Sequence, residues 1–223
     1  MKVIVFGATG MIGQGVVREC LRADDVDAVV LVGRRPSGIA AHPKLREIVH
    51  ADLTDVSAID GELAGFAACF FCLGISSAGL DEAAYTRVTY DMTMAPARAL
   101  ARHAPDLTFV YVSGAGTDST ERGRTMWARV KGKTENALLA LFPKAYMFRP
   151  GGIQPLHGAR SQTRSYRIAY TIAWPLLPLL KLAGAITTTE RVGLAMLEVA
   201  RHGADKKLLG NADINRLART TAT

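Results

Sequence analysis

The stretch "VFGATGMIGQGVV" constrains this chain more than any other. It places Gly7, Gly10 and Gly13 between a short β-branched run, "KVIVFGA", and an amphipathic helical pattern over Met11 to Leu21. A tight turn at a strand end needs a residue without Cβ. A second glycine lets backbone N–H groups approach a pyrophosphate, and a third lets the helix pack close to the sheet. Because the motif closes the first strand and opens the first helix, it reads as a dinucleotide-phosphate loop rather than as scattered turn glycines. Thr9, Met11 and Ile12 belong to the same binding segment.

The pattern that follows predicts an α/β fold with a doubly wound parallel sheet. "DAVVLVG", "LREIVHAD", "AACFFCLG", "LTFVYVSG" and "AYMFRPG" supply further short apolar strands. Between them lie helical segments at Glu82–His103, capped by Asp81, and Gly123–Leu141. Apolar strands alternating with helices imply a sheet covered on both faces. After Pro150 the alternation fails. A loop rich in Gly, Pro and Arg precedes an apolar segment, a helix opening at the Thr187–Glu190 capping signal, a short strand "KKLLG" and a terminal helix "ADINRLART". The 223 residues therefore read as one Rossmann-type domain, 1–223, in which 151–223 contribute a small substrate-side cap.

The end of the second strand selects the cofactor. "LVGRRPS" carries Arg34 and Arg35 where an NAD site usually has an acidic side chain for the ribose hydroxyls. A guanidinium pairs with a 2′-phosphate through charge-assisted bonds, so the expected cofactor is NADP(H); a solvated arginine pair is the plainer alternative. Asp52 and Leu53, closing the third strand, are placed to meet the adenine, with Asp52 as a simple cap the competing reading. Leu73 and Gly74 are expected beside the ribose and pyrophosphate.

Composition narrows the class. With 49% hydrophobic and 21% charged residues the chain is globular, and its +7 charge is dispersed rather than gathered into a stripe, which argues against nucleic acid. Cys69 and Cys72 form a CxxC inside a strand, so they point to opposite faces, and with Cys20 they read as small buried hydrophobes. The apolar segment 168–180, broken by Pro175 and Pro178, is shorter than the roughly 20 residues a membrane span needs. It reads as a buried helix pair, a dimer face or a lid, with interfacial membrane contact a lesser alternative. The opening run is too short for a signal-peptide core, which points to the cytoplasm.

Taken together, "GATGMIG" at 7–13, "GRRP" at 33–36, "AD" at 51–52, "YVSGAGTDS" at 111–119, "WARVKGKTE" at 127–135 and "FRPG" at 148–151 resemble the short-chain dehydrogenase/reductase superfamily. The chain looks closest to its atypical, epimerase-like branch, akin to the NmrA and Tat-interacting-protein relatives. That resemblance implies a serine after the fifth strand that polarises a substrate carbonyl, matched by Ser113, and a lysine on the nicotinamide ribose, matched by Lys131. The tyrosine that moves the proton is replaced by Trp127, which is one helical turn before Lys131 and on the same face. Indole N–H is a donor only and cannot relay a proton. Losing such a group commonly costs about a hundred- to ten-thousandfold in rate. Tyr85, Tyr90, Tyr166, Tyr170 and His157 are conceivable substitutes. Pro150, Gly151, Gly152 and Ile153 follow the sixth strand where the family loop covers the nicotinamide amide, while Arg149 either meets a substrate or anchors the loop.

Two functions remain open at this point. One is an NADP(H)-dependent oxidoreductase on a small apolar carbonyl or alkene. The other is a non-catalytic protein in which NADP(H) occupancy orders the cap for a partner. The resemblance also allows a homodimer joined through helices.

Overall fold

The computed structural model describes residues 1–159 and 186–220. Nine strands and six α-helices are described, in chain order β1 (Lys2–Phe6), α1 (Met11–Arg22), β2 (Ala28–Gly33), β3 (Leu45–Val49), β4 (Ala68–Phe71), α2 (Glu82–Thr86), α3 (Met92–His103), β5 (Thr108–Val112), α4 (Met126–Leu141), β6 (Ala145–Arg149), β7 (Gly152–Gln154), β8 (Ile186–Thr188), α5 (Thr189–His202), β9 (Leu208–Gly210) and α6 (Asn211–Thr220). A 3-10 helix, Ser57–Leu63, precedes β4.

Seven strands form one parallel sheet in the order β3-β2-β1-β4-β5-β6-β9. The strand order reverses between β1 and β4, the switch point at which doubly wound sheets bind ligands. Period-two alternation divides the strands between two cores. Val3, Val5, Val29, Leu31, Phe70 and Val110 face one layer, built with α1, α5 and α6. Ile4, Phe6, Val30, Val32, Phe71, Phe109 and Tyr111 face the other, where α3 and α4 lie. On that second side Phe6, Phe71, Phe109 and Phe142 stack in a row with centroids 5.0–6.0 Å apart. Cys69 packs in the second layer and Cys20 in the first, with Cys72 against the first, so the CxxC does straddle the sheet.

The long helix predicted over Glu82–His103 is capped as expected, Asp81 Oδ1 accepting from the Ala84 N–H at 2.8 Å. It is interrupted by a π-helical stretch, Arg87–Asp91. Pro96 follows within α3 and has no N–H to donate to the preceding turn, and a change of helical register upstream of such a residue relieves the mismatch.

The C-terminal part adds the seventh strand to the sheet, within the segment "KKLLG". β9 pairs with β6, and α5 lies directly on α1. A Cβ on Gly15 would lie 2.6 Å from the Thr189 carbonyl oxygen, and one on Gly193 would lie 2.8 Å from Glu19 Cγ. Small residues on both helices permit that approach. Where a plain loop was expected after Pro150, β7 and β8 form a two-stranded parallel sheet. Strands of three residues are too short for alternation to reveal. The segment 168–180, with Tyr166 and Tyr170, lies outside the described residues.

Candidate functional site

The turn from β1 to α1 is built so that no side chain fits inside it. Gly7 has φ +83°, and a Cβ there would stand 2.6 Å from the Leu73 amide nitrogen at the exit of β4. A Cβ on Gly13 would stand 2.1 Å from the Gly7 carbonyl oxygen. Gly10 caps α1 without any side-chain hydrogen bond, and its own N–H donates to the Gly7 oxygen at 3.0 Å. The first-turn N–H groups that follow, from Met11, Ile12 and Gly13, have no intrahelical acceptor by position. No acidic residue sits in that first turn to compete for them. Thr9 is exposed, and its carbonyl accepts from Gln14 Nε2 at 2.9 Å.

Arg34 and Arg35 are both exposed just past β2, and neither guanidinium has a partner among the described residues. The nearby acid, Glu47, is engaged by Ser37, whose backbone N–H it accepts at 3.1 Å and whose hydroxyl it also holds. Asp52 is exposed. One of its carboxylate oxygens takes the Thr54 N–H at 2.9 Å and the Thr54 hydroxyl at 2.6 Å, which holds its carboxyl below the usual carboxylate range. Asp52 thus closes a local turn on Thr54 and is not the cap of the following helix, whose N-cap is Val56. Leu53 departs from expectation: its side chain is fully buried in the second core and offers no face to an adenine. Leu73 is half-buried beside Gly7, and a Cβ on Gly74 would meet nothing within 4 Å.

Ser113 and Lys131 meet where β5 meets α4, with Trp127 on the first turn of that helix, and both Ser113 and Lys131 are engaged within the protein. The Ser113 hydroxyl donates to Glu135 Oε1 at 2.5 Å, with the Phe148 carbonyl oxygen a further acceptor at 3.2 Å. Its single proton is thereby committed inward, so the carbonyl-polarising role expected of Ser113 is not what this geometry provides. Lys131 Nζ donates to the Ser113 carbonyl oxygen at 2.8 Å. Loss of water around this ammonium pushes it down to about 8, while Glu135 pulls the other way. Trp127 is half-buried, and its ring lies across the β5–α4 loop, with Cη2 3.4 Å from where a Cβ on Gly116 would be.

Glu135, which the sequence reading passed over, is the hub of this cluster. It is fully buried, and Arg149 holds both of its oxygens, Nε at 3.0 Å to Oε1 and the terminal nitrogen to Oε2. Arg149 also reaches Ser119, so of its two readings the loop anchor is the one realised. The available signal was the position of Glu135, one turn beyond Lys131 on the same helix face. Asp118 was likewise missed. Its carboxylate accepts from the N–H groups of Thr120, Arg122 and Gly123 and from the Thr120 hydroxyl, winding the β5–α4 loop around itself.

The loop after β6 is also tied internally. The Pro150 carbonyl accepts from the Ala115 N–H at 2.9 Å, and the Gly151 N–H donates to Asn211 Oδ1 at 3.2 Å. That N–H is therefore not free for a ligand amide as expected. Ile153 is buried in β7. Among the substitutes for the missing acid, Tyr85 is buried, Tyr90 lies under the Lys133 ammonium at 4.7 Å, and His157 pairs with Glu190 at 2.7 Å.

A family model described as NAD(P)H-binding matches residues 7–149, from the first glycine of the turn to the anchoring arginine. The chain belongs to this family. That match is consistent with the resemblance to the atypical, epimerase-like short-chain dehydrogenase/reductases. The chain is 27% identical over 158 residues to mitochondrial protein FMP52 of Debaryomyces hansenii, covering 69% of this chain and 67% of that protein. It is 30% identical over 168 residues to the mitochondrial FMP52 of Saccharomyces cerevisiae, covering 74% and 69%. Among solved structures it is similar to the Bordetella bronchiseptica enzyme WbmF in complex with NAD+, with a TM-score of 0.68, 16% identity and coverage of 99% of this chain and 78% of that one. The last similarity speaks for the fold alone. The cytoplasmic location expected from the opening run is overturned, because the curated relatives are named as mitochondrial proteins.

Proposed function

We propose that this protein binds NADP(H) at the β1–α1 turn and acts chiefly through occupancy of that site, ordering the surface around it for a partner. The observation that carries the first half is the pair Arg34 and Arg35, exposed at the end of β2 and unpaired among the described residues. A bound NADP(H) would draw its pyrophosphate to the Gly7–Gly13 cradle, its 2′-phosphate to the two arginines and its ribose to Lys131. The nicotinamide group supplies hydride chemistry when bound.

The second half rests on the proton. Trp127 cannot release one, and the Ser113 hydroxyl gives its own to Glu135. General acid catalysis thus has no evident donor at the position where the family keeps it. A second reading, an oxidoreductase on a small apolar carbonyl or alkene, is favoured by Lys131, which retains its place beside Ser113. Orientation against the cofactor alone can support slow transfer.

Calorimetric titration with NADPH and NADH tests the cofactor. NADPH should bind the tighter of the two, and Arg34→Ala should erase the difference; equal affinities in the native chain would refute the NADP(H) assignment. Turnover of NADPH across a panel of carbonyl and enone substrates then separates the readings. Inert native protein that gains activity on Trp127→Tyr supports the occupancy reading, whereas native turnover supports the oxidoreductase.

A further inference from the structure

Ser113 is gripped at both ends. Its carbonyl oxygen takes the Lys131 ammonium at 2.8 Å, and its hydroxyl goes to Glu135 at 2.5 Å. Lys131 and Glu135 are one turn apart on α4, so backbone, lysine, serine and carboxylate close a ring across the β5–α4 junction. Arg149, arriving from β6, completes the set. A carboxylate with no exposed surface is costly unless paired, and here a single guanidinium and a single hydroxyl pair it.

We propose that Glu135 is a positioning residue for the cofactor site, acting through Lys131: it fixes Ser113 as the lysine's acceptor and places a buried negative charge one helical turn from the ammonium that would meet a bound ribose. The proposal rests on the NADP(H) reading above. It is independent of whether catalysis survives.

The balance of charges around Lys131 supports this. The groups facing it are Glu135 on its own helix, Tyr111 of β5 with its ring 5.9 Å from Nζ, Ser113 at the strand exit, and Arg149 behind Glu135. Tyr111 is buried and stays neutral, its hydroxyl pushed far above its ordinary range by burial. Arg149 is cationic and pairs with Glu135 from behind. Glu135 is thus the anion of this set, and it is the influence that opposes burial at Lys131, which already sits at about 8. Without it the burial of the ammonium would go unopposed and the lysine would give up its proton at a lower pH.

The test is NADPH affinity measured by fluorescence titration between pH 6 and about 9.5, for the full chain and for Glu135→Gln, Glu135→Asp and Lys131→Met. The native protein should lose affinity with a midpoint near 8, and Lys131→Met should flatten that step, separating it from titration of the ligand's phosphates. Glu135→Gln should lower the midpoint by about one pH unit, about a tenfold change in the protonation constant. Glu135→Asp, which keeps the charge but withdraws it by one methylene, should give an intermediate midpoint and serves alone if Glu135→Gln does not fold. Weaker binding with an unmoved midpoint in both variants would reduce Glu135 to a structural ion pair and overturn the proposal, as would a step that persists in Lys131→Met. Native protein that fails to bind NADPH at any pH instead defeats the cofactor reading, a distinct outcome.

Discussion

Gly13 stands so close to Gly7 that a single added methyl would lie 2.1 Å from the Gly7 carbonyl oxygen. That oxygen belongs to backbone, which cannot swing aside as a flexible side chain can. Gly13→Ala should therefore force α1 away from β1, costing about 1–3 kcal/mol as overpacking does, and should abolish the NADPH-induced thermal shift. Unchanged melting with retained cofactor binding would mean the turn is looser than this geometry requires.

Gly193 offers the contrasting case. A Cβ there would stand 2.8 Å from Glu19 Cγ and 3.1 Å from the Gly15 carbonyl oxygen, on the α1–α5 seam rather than in the turn. Gly193→Ala should lower thermal stability by prising the two helices apart while leaving NADPH affinity within about twofold, since effects at separate sites are largely independent. A large affinity loss would show that the seam reaches into the cofactor turn.

Lys131 makes stability depend on pH in a definite direction. Its folded value is about 8 against an unfolded value of 10.5, so between those limits the unfolded chain binds the extra proton. Stability from this group therefore rises as pH rises from about 8 toward 10.5, once burial no longer has to be reconciled with charge. Chemical denaturation at pH 7.5 and 9.5 should show the rise, and Lys131→Met should remove it.

Asp118 acts with the opposite sign. The Thr120 hydroxyl and the surrounding N–H groups hold its carboxyl below the ordinary range, so its contribution is present above the unfolded value and is lost as pH falls through the folded one. Hydrogen-exchange protection at Thr120, Arg122 and Gly123, taken relative to the intrinsic rate at each pH, should fall in acid and should fall at neutral pH in Asp118→Ala. Exchange as slow in the variant as in the native chain would remove Asp118 from its role as organiser of the loop.

Much of the architecture was legible because strands buried on both faces are written as short apolar runs. "TFVYV" and "AYMFR" announced β5 and β6, and Asp81 marked its helix start by chemistry local to four residues. The cofactor turn was legible because its three glycines fall within seven residues, although the backbone that crowds Gly7 comes from the distant exit of β4. What escaped was non-local. Nothing near Ser113 reveals that Glu135, 22 positions on, takes its proton. Nothing near Leu53 says whether the residue after Asp52 points at a ligand or into the core, because a leucine serves either purpose. Arg149 was left between two roles, and only its contact with Glu135 decides for the anchor.

The pairing of β7 with β8 has a consequence for how this protein can diversify. Gly152 and Ile186 lie side by side, so the two ends of the intervening stretch are brought together at one narrow doorway. Whatever length of polypeptide is spliced between those two jambs, the doorway spares the sheet, the dinucleotide cradle and the Glu135 cluster from having to be rebuilt.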